Sequence, residues 1–175
     1  GVPNPLANPM LILNGSAPFA TITNNNWKDT PQTAIEATGI APSNDLESAI
    51  LATLDPGSYT AILQGQDGGS GVALVEIYDL SMASASKLGN IATRAFVNTG
   101  NDIVIAGFIL GNGASNDKIV LRGIGPSLTG FGVPNALANP NLELRDSSGT
   151  VLVANDDWQD NAATAAALTA LNLAP

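Results

Sequence analysis

One phrase in this chain occurs twice. Residues 1–9 read GVPNPLANP, and residues 132–140 read GVPNALANP. The offset is 132 − 1 = 131 residues. It persists downstream. Leu11 and Leu13 recur as Leu142 and Leu144, and Asn24-Asn25-Asn26-Trp27 as Asn155-Asp156-Asp157-Trp158. Asp29 recurs as Asp160. Ile40-Ala41-Pro42 returns as Leu173-Ala174-Pro175, with two residues inserted before it. Residues 131–175 therefore repeat residues 1–42, and whatever the first stretch folds into, the second must be able to fold into as well.

The chain between and around the repeats is punctuated by Gly, Pro and Asn. Met10–Asn14 reads as a strand, Asn14-Gly15 as a two-residue turn, and Phe19–Thr23 as the returning strand. A helix is expected from a Thr30 cap with Pro31 in its first turn, running to Thr38 and stopping at Gly39. Glu47–Leu54 and Ser58–Gln66 read as strands around Asp55-Pro56-Gly57, where Pro presets φ and Gly supplies a positive φ. Val72–Asp79 completes a hairpin with the second of these and is apolar on both faces, as a strand buried between layers would be. Ser81–Ser86 is small, polar and uncharged, which suits a linker. Strands are expected again at 88–97, 102–110 and 118–124, with a turn at 111–116. The repeat then brings strands at 142–145 and 150–154 around a turn at 146–149, and an Ala-rich helix at 162–171. Many short strands with one short helix per repeat predict an all-β chain of antiparallel β-sandwich or jelly-roll modules.

Composition narrows function. Of the 175 residues, 45% are hydrophobic, enough for a packed core, and only 12% are charged, about half the usual share. Such a neutral, hydrogen-bonding surface does little to oppose self-association. The net charge of −9 argues against nucleic acid and anionic membranes as partners. There is no Cys and no His, so disulfides, thiolate nucleophiles, Cys-based zinc sites and a Ser-His-Asp triad are excluded. No apolar run approaches the ~18 residues of a membrane span. The sequence opens on no signal peptide, so it reads as a mature product or an internal segment.

Three stretches taken together resemble a known pattern. They are LELRDSSGTVLVANDDW (142–158), the acidic linker and helix after it, and LDPGSYTAILQGQDGGSGVALVEIYDL (54–80). Their order is similar to that of the bacterial pre-peptidase C-terminal domain: a strand ending in Asp, a Gly turn, a strand, an Asn/Asp-rich loop, then a Pro-Gly turn feeding a Tyr-containing strand. The closer likeness is to long tandem modules in secreted proteins of environmental bacteria, which begin near an equivalent of Asn90–Arg94 and end near an equivalent of Val75–Leu80. The resemblance implies an extracellular, cell-surface β-sandwich used as an accessory, binding or structural module, without catalysis. It also implies that the chain is cut out of phase. Residues 1–80 would be the back of one module, 81–87 a linker, and 88–175 the front of the next.

Two arrangements satisfy both halves. Residues 1–80 and 88–131 fold together and leave the second repeat spare, or 88–175 receives strands from a neighbouring chain. The donated hairpin would present Tyr59, Leu63, Val72, Leu74 and Tyr78. Strand addition between identical subunits that does not close gives a filament. The expected function is therefore an extracellular structural protein that self-assembles by strand complementation between subunits or tandem modules, with other copies of itself as partner. The same module covalently arrayed, or a secreted carbohydrate- or surface-binding accessory module, are the alternatives.

Candidate sites follow from the repeat. Asn155, Asp156, Asp157 and Asp160 form an oxygen-only cluster of the kind Ca²⁺ prefers; the alternative is a loop whose side chains cap the next helix and bond local backbone. Trp27 and Trp158 read as packing or inter-module anchors, with stacking on a sugar ring as the alternative. Carboxylate pairs such as Glu36/Asp45 or Glu47/Asp55 belong to no recognisable cleft, and the Gly-rich 67–71 and 123–125 lack the Lys and context of a phosphate loop. No catalytic residue is assigned.

Overall fold

A computed structural model describes residues 2–29, 31–81, 88–100, 102–110 and 118–175. Thr30, most of the expected linker and the expected turn at 111–116 lie outside the described residues. The chain divides into two compact units, Gly1–Ile91 and Ala92–Pro175. It is β-rich, with small antiparallel sheets and few helices.

The first unit holds a three-stranded sheet in the order β2-β1-β3, formed by β1 (Pro9–Gly15), β2 (Ile22–Asn24) and β3 (Tyr59–Gly65). Both pairings are antiparallel. Leu11 faces Asn24 on one side and Leu63 on the other. The expected two-residue turn at Asn14-Gly15 does not form. Gly15 stays in the strand opposite Tyr59, and the chain reverses over 16–21 through a cis Ala17–Pro18 bond. The reason is the Tyr59 ring. A Cβ at Gly15 would lie 2.7 Å from it, so only glycine lets the ring lie there, with Phe19 edge-on at 5.2 Å. The Tyr59 hydroxyl donates to the Asp55 carbonyl at 2.9 Å and ties down the turn before β3. Gly57, contrary to expectation, does not take a positive φ there.

After β2 comes one 3-10 turn, Trp27–Asp29, and then α1 (Gln32–Ala37). Pro31 stands at the cap without a side-chain bond, and Gly39 (φ 76°) follows the last turn, as the helix stop signal predicts. Ile35 of α1 and Trp27 are the two hydrophobic residues buried in the described chain.

The hairpin expected between Ser58–Gln66 and Val72–Asp79 is replaced by a different pairing. Val72 forms an isolated parallel bridge with Pro5, in which Leu6 N donates to Val72 O (2.9 Å) and Val72 N to Asn4 O (2.8 Å). Asn4, at φ 48°, leaves the extended conformation beside this bridge. Residues 73–81 pair with nothing among the described residues. Glu47–Leu54, 88–97, 102–110 and 118–124 likewise form no regular strand. Their apolar residues are widely exposed: Ile109 by 97% and Ile105 by 82%.

The second unit holds β4 (Leu142–Arg145) and β5 (Val151–Asn155), a two-stranded antiparallel sheet, followed by α2 (Ala162–Ala170). The turn between the strands forms where the sequence places it. Asp146 Oδ1 accepts from the Ser148 hydroxyl and from the amides of Ser148 and Thr150, and Gly149 takes φ 85°. Those bonds, the Ser148 hydroxyl first, hold the Asp146 carboxyl below the usual aspartate range. Asn161 caps α2 by accepting from Thr164 N at 3.0 Å.

Candidate functional site

The two repeats build the same local object, here termed a platform. In the first, β1 pairs β2 with Leu11 opposite Asn24 and Leu13 opposite Ile22. In the second, β4 pairs β5 with Leu142 opposite Asn155 and Leu144 opposite Val153. Adding 131 to the first set of numbers gives the second, so register is reproduced residue for residue. The loop that follows is reproduced too. Asn24 Nδ2 donates to Asn26 O at 2.8 Å, and Asn155 Nδ2 donates to Asp157 O at 2.9 Å. Asp29 N donates to Asn26 O, and Asp160 N to Asp157 O. Even the opening loop repeats its backbone, with Asn4 at φ 48° and Asn135 at φ 55°, a left-handed conformation that Asn tolerates better than most residues.

What lies over the two platforms differs. On the first, residues 44–49 run across the Asn24–Trp27 loop. Ala49 N donates to Asn24 Oδ1 (2.9 Å), Trp27 N to Glu47 O (2.8 Å), and Trp27 Nε1 to Asn44 O (3.1 Å). Lys28 pairs with Asp45 and lies 5.3 Å from the Trp27 ring. These contacts leave Asn24 only 4% and Trp27 only 5% exposed. β3 then closes the outer edge of β1 over its full length. On the second platform, neither cover is present among the described residues. Asn155 and Trp158 are half-buried, Trp158 Nε1 has no acceptor among the described residues, and the outer edge of β4 has no strand paired to it. A cavity of about 1130 Å³ opens there, lined among others by Leu142, Leu144, Val153, Asn155, Trp158 and Leu168.

The expected anchors thus separate. Trp27 is buried and bonded at both its amide and its indole N–H. Trp158 has the same strand and loop beneath it, and no described residue donates to or accepts from its indole. Of the expected hairpin residues, Tyr59 and Leu63 sit on β3, half-buried, in the sheet of their own unit. Val72, Leu74 and Tyr78 are exposed and outside any strand. The Tyr78 hydroxyl bonds Glu76, which raises its pKa.

The Asn/Asp loop spends its polar groups on itself. Asp157 O receives both Asn155 Nδ2 and Asp160 N, and Asp156 Oδ1 accepts from Asp157 N at 3.1 Å. Among the described residues, no three acidic side chains converge as a metal would require. Calcium takes six to eight oxygens at 2.3–2.6 Å, backbone and Asn carbonyls among them. Thermal melts recorded in excess calcium and in chelator are accordingly expected to superimpose. A rise of several degrees with calcium alone would mark Asp156, Asp157 and Asp160 as ligands.

The carboxylates that might have suggested hydrolysis are engaged singly. Glu36 accepts from Gln32 Nε2, Asp45 pairs with Lys28, and Glu47 accepts from Asn44 N. No helix among the described residues is long and apolar enough to cross a membrane. No protein-family model matches the chain, and neither a curated protein nor a solved structure does.

Proposed function

We propose that this chain is a non-enzymatic extracellular structural protein of a bacterial surface, in which tandem β-sandwich modules complete one another by strand addition and so associate into filaments. One observation carries the reading: apolar residues of 102–110, Ile105 and Ile109 above all, stand exposed with no strand paired to them among the described residues. An open sheet edge presents unpaired N–H and C=O groups, and an edge flanked by apolar surface favours pairing with another chain. The apolar residues of 118–124 are exposed as well, and soluble monomers seldom leave so much apolar surface in water. With few charges to keep molecules apart, the surface offers little resistance to such contacts.

The expected result is concentration-dependent oligomers in sedimentation velocity and head-to-tail fibres in negative-stain micrographs. A protein that sediments as a clean monomer at high concentration would sink the proposal. Trp158, half-exposed with its indole N–H unengaged, favours a second reading, a carbohydrate-binding accessory module. A monomer whose Trp158 fluorescence responds to glycans would select it.

A further inference from the structure

We propose that Asp55–Pro56 is a self-cleavage site, at which the chain cuts its own backbone with Asp55 as nucleophile and the Tyr59 hydroxyl as the donor to the attacked carbonyl. The inference stands apart from the self-association reading. Three features of the turn before β3 carry it. This is the one Asp-Pro pair in the sequence, and the Pro56 nitrogen, a tertiary amide, departs more readily than an ordinary backbone N–H. The Tyr59 hydroxyl donates to Asp55 O at 2.9 Å, and that oxygen gains negative charge when its carbon is attacked. The ring behind the hydroxyl is held in place: it lies against Gly15, where a Cβ would come within 2.7 Å of it, and meets Phe19 edge-on at 5.2 Å. Finally, the Asp55 carboxyl makes no hydrogen bond or ion pair among the described residues, and Asp55 and Pro56 are exposed. The nucleophile can turn onto its own carbonyl carbon, and water can reach what forms.

An Asp55 carboxyl oxygen attacks the Asp55 carbonyl carbon and closes a five-membered ring. The carbonyl electron pair moves onto the oxygen that Tyr59 bonds. It returns as the C–N bond to Pro56 breaks, and the carboxyl proton passes to the Pro56 nitrogen. The products are a cyclic anhydride on Asp55 and a free amino terminus at Pro56. One water then opens the anhydride to two carboxyls, so the net change is one water added across the bond. Tyr59 keeps its proton throughout. Nucleophile and carbonyl belong to one residue, so they meet at high effective concentration. The event occurs once per chain and is not turnover. The cut chain stays together, because β3 remains paired to β1 from Pro9–Gly65 to Gly15–Tyr59.

The test uses the full chain, incubated in acidic buffer so that carboxyl groups carry the proton the step consumes, and read by intact mass spectrometry in denaturant. The expected products are 1–55 and 56–175, whose summed mass exceeds that of the chain by one water. Returned to neutral buffer, they should elute together from a sizing column. Asp55→Ala should leave the chain whole. Tyr59→Phe keeps the ring and removes the hydroxyl, so it should cut about tenfold more slowly, less than the roughly hundredfold loss of a donor in a water-excluded site. A hydroxyl that merely tied down the turn would give no change or faster cutting, because a looser turn brings the carboxyl to its carbonyl more easily. Urea gives the same comparison without a substitution: unfolding parts Tyr59 from Asp55 and should slow cutting of the unsubstituted chain by a similar factor. A chain that stays uncut overturns the site, and so does cutting of Asp55→Ala at the unsubstituted rate. Equal rates with Tyr59→Phe, or in urea, also overturn it and leave only the acid lability of any Asp-Pro bond.

Discussion

Trp27→Ala is expected to unfold the first unit, with a loss of about 3–5 kcal/mol, the range for truncating a buried Trp. Among the described residues, the buried apolar core consists of Trp27 and Ile35, so no other large side chain can take up the load. The substitution also removes the indole donor to Asn44 O and the ring beside Lys28. With these gone, 44–49 keep the bonds through Trp27 N and Asn24 and the exposed Lys28–Asp45 pair. Domains are stable by only about 5–15 kcal/mol, so a loss of this size leaves a small unit largely unfolded. Trp158→Ala, on the same strand-loop geometry, is expected to cost about 1 kcal/mol or less, because its ring is only half covered and its N–H bonds nothing in the described chain. Urea denaturation followed by circular dichroism, with hydrogen exchange at 9–15 and 142–145, separates the two units. Equal losses from the two substitutions would refute the assignment of a covered and an uncovered platform.

Asn24→Ala is expected to cost about 2–3 kcal/mol. The side chain is 4% exposed and works in two directions at once. Nδ2 donates to Asn26 O within the loop, and Oδ1 accepts from Ala49 N across it. Alanine leaves the half-buried Ala49 amide without its acceptor and loosens the turn that presents Trp27. Asn155→Ala breaks only the local bond to Asp157 O and should stay within about 1 kcal/mol of the unsubstituted chain. The readout is the midpoint of unit-one unfolding, with exchange at 47–50 as the local probe. An Asn24→Ala chain whose 47–50 amides remain as protected as before would show that the bond across the loop is dispensable.

These two residues also mark how far the sequence could be read. The repeat offset carried real structure: register, the left-handed Asn, the loop bonds and the β4–β5 turn all recur or form where the residues indicate. Both helices lie within a few residues of where their cap and stop residues place them, because those signals are local. The strand readings at 47–54, 72–79, 88–97, 102–110 and 118–124 went further than local chemistry allows. Apolar, β-branched composition makes extended backbone favourable, but a strand exists only when another strand pairs with it in register. For 72–79, the competing pairing with Pro5 takes one residue and goes no further. The turn at Asn14-Gly15 was misplaced because Gly15 serves the approach of the Tyr59 ring, a contact more than forty positions away in sequence. Asn24 stood out only as the repeat partner of Asn155. Its role as the brace for 44–49 depends on a segment twenty-five residues off, which no local pattern announces.

The Pro5–Val72 bridge has a mechanical consequence. The two strands it joins run parallel, one leading in from the amino-terminal loop and the other leading out beyond β3. Tension applied to the chain before Asn4 and after Val72 therefore pulls the pair along its own length. Both hydrogen bonds are loaded together in shear rather than peeled one after the other. The sheet between them, β2-β1-β3, lies inside the closed loop and feels no force until the bridge parts. A fibre built from such units would yield first at this two-bond clasp, while the covered platform and its buried Trp27 stayed folded behind it.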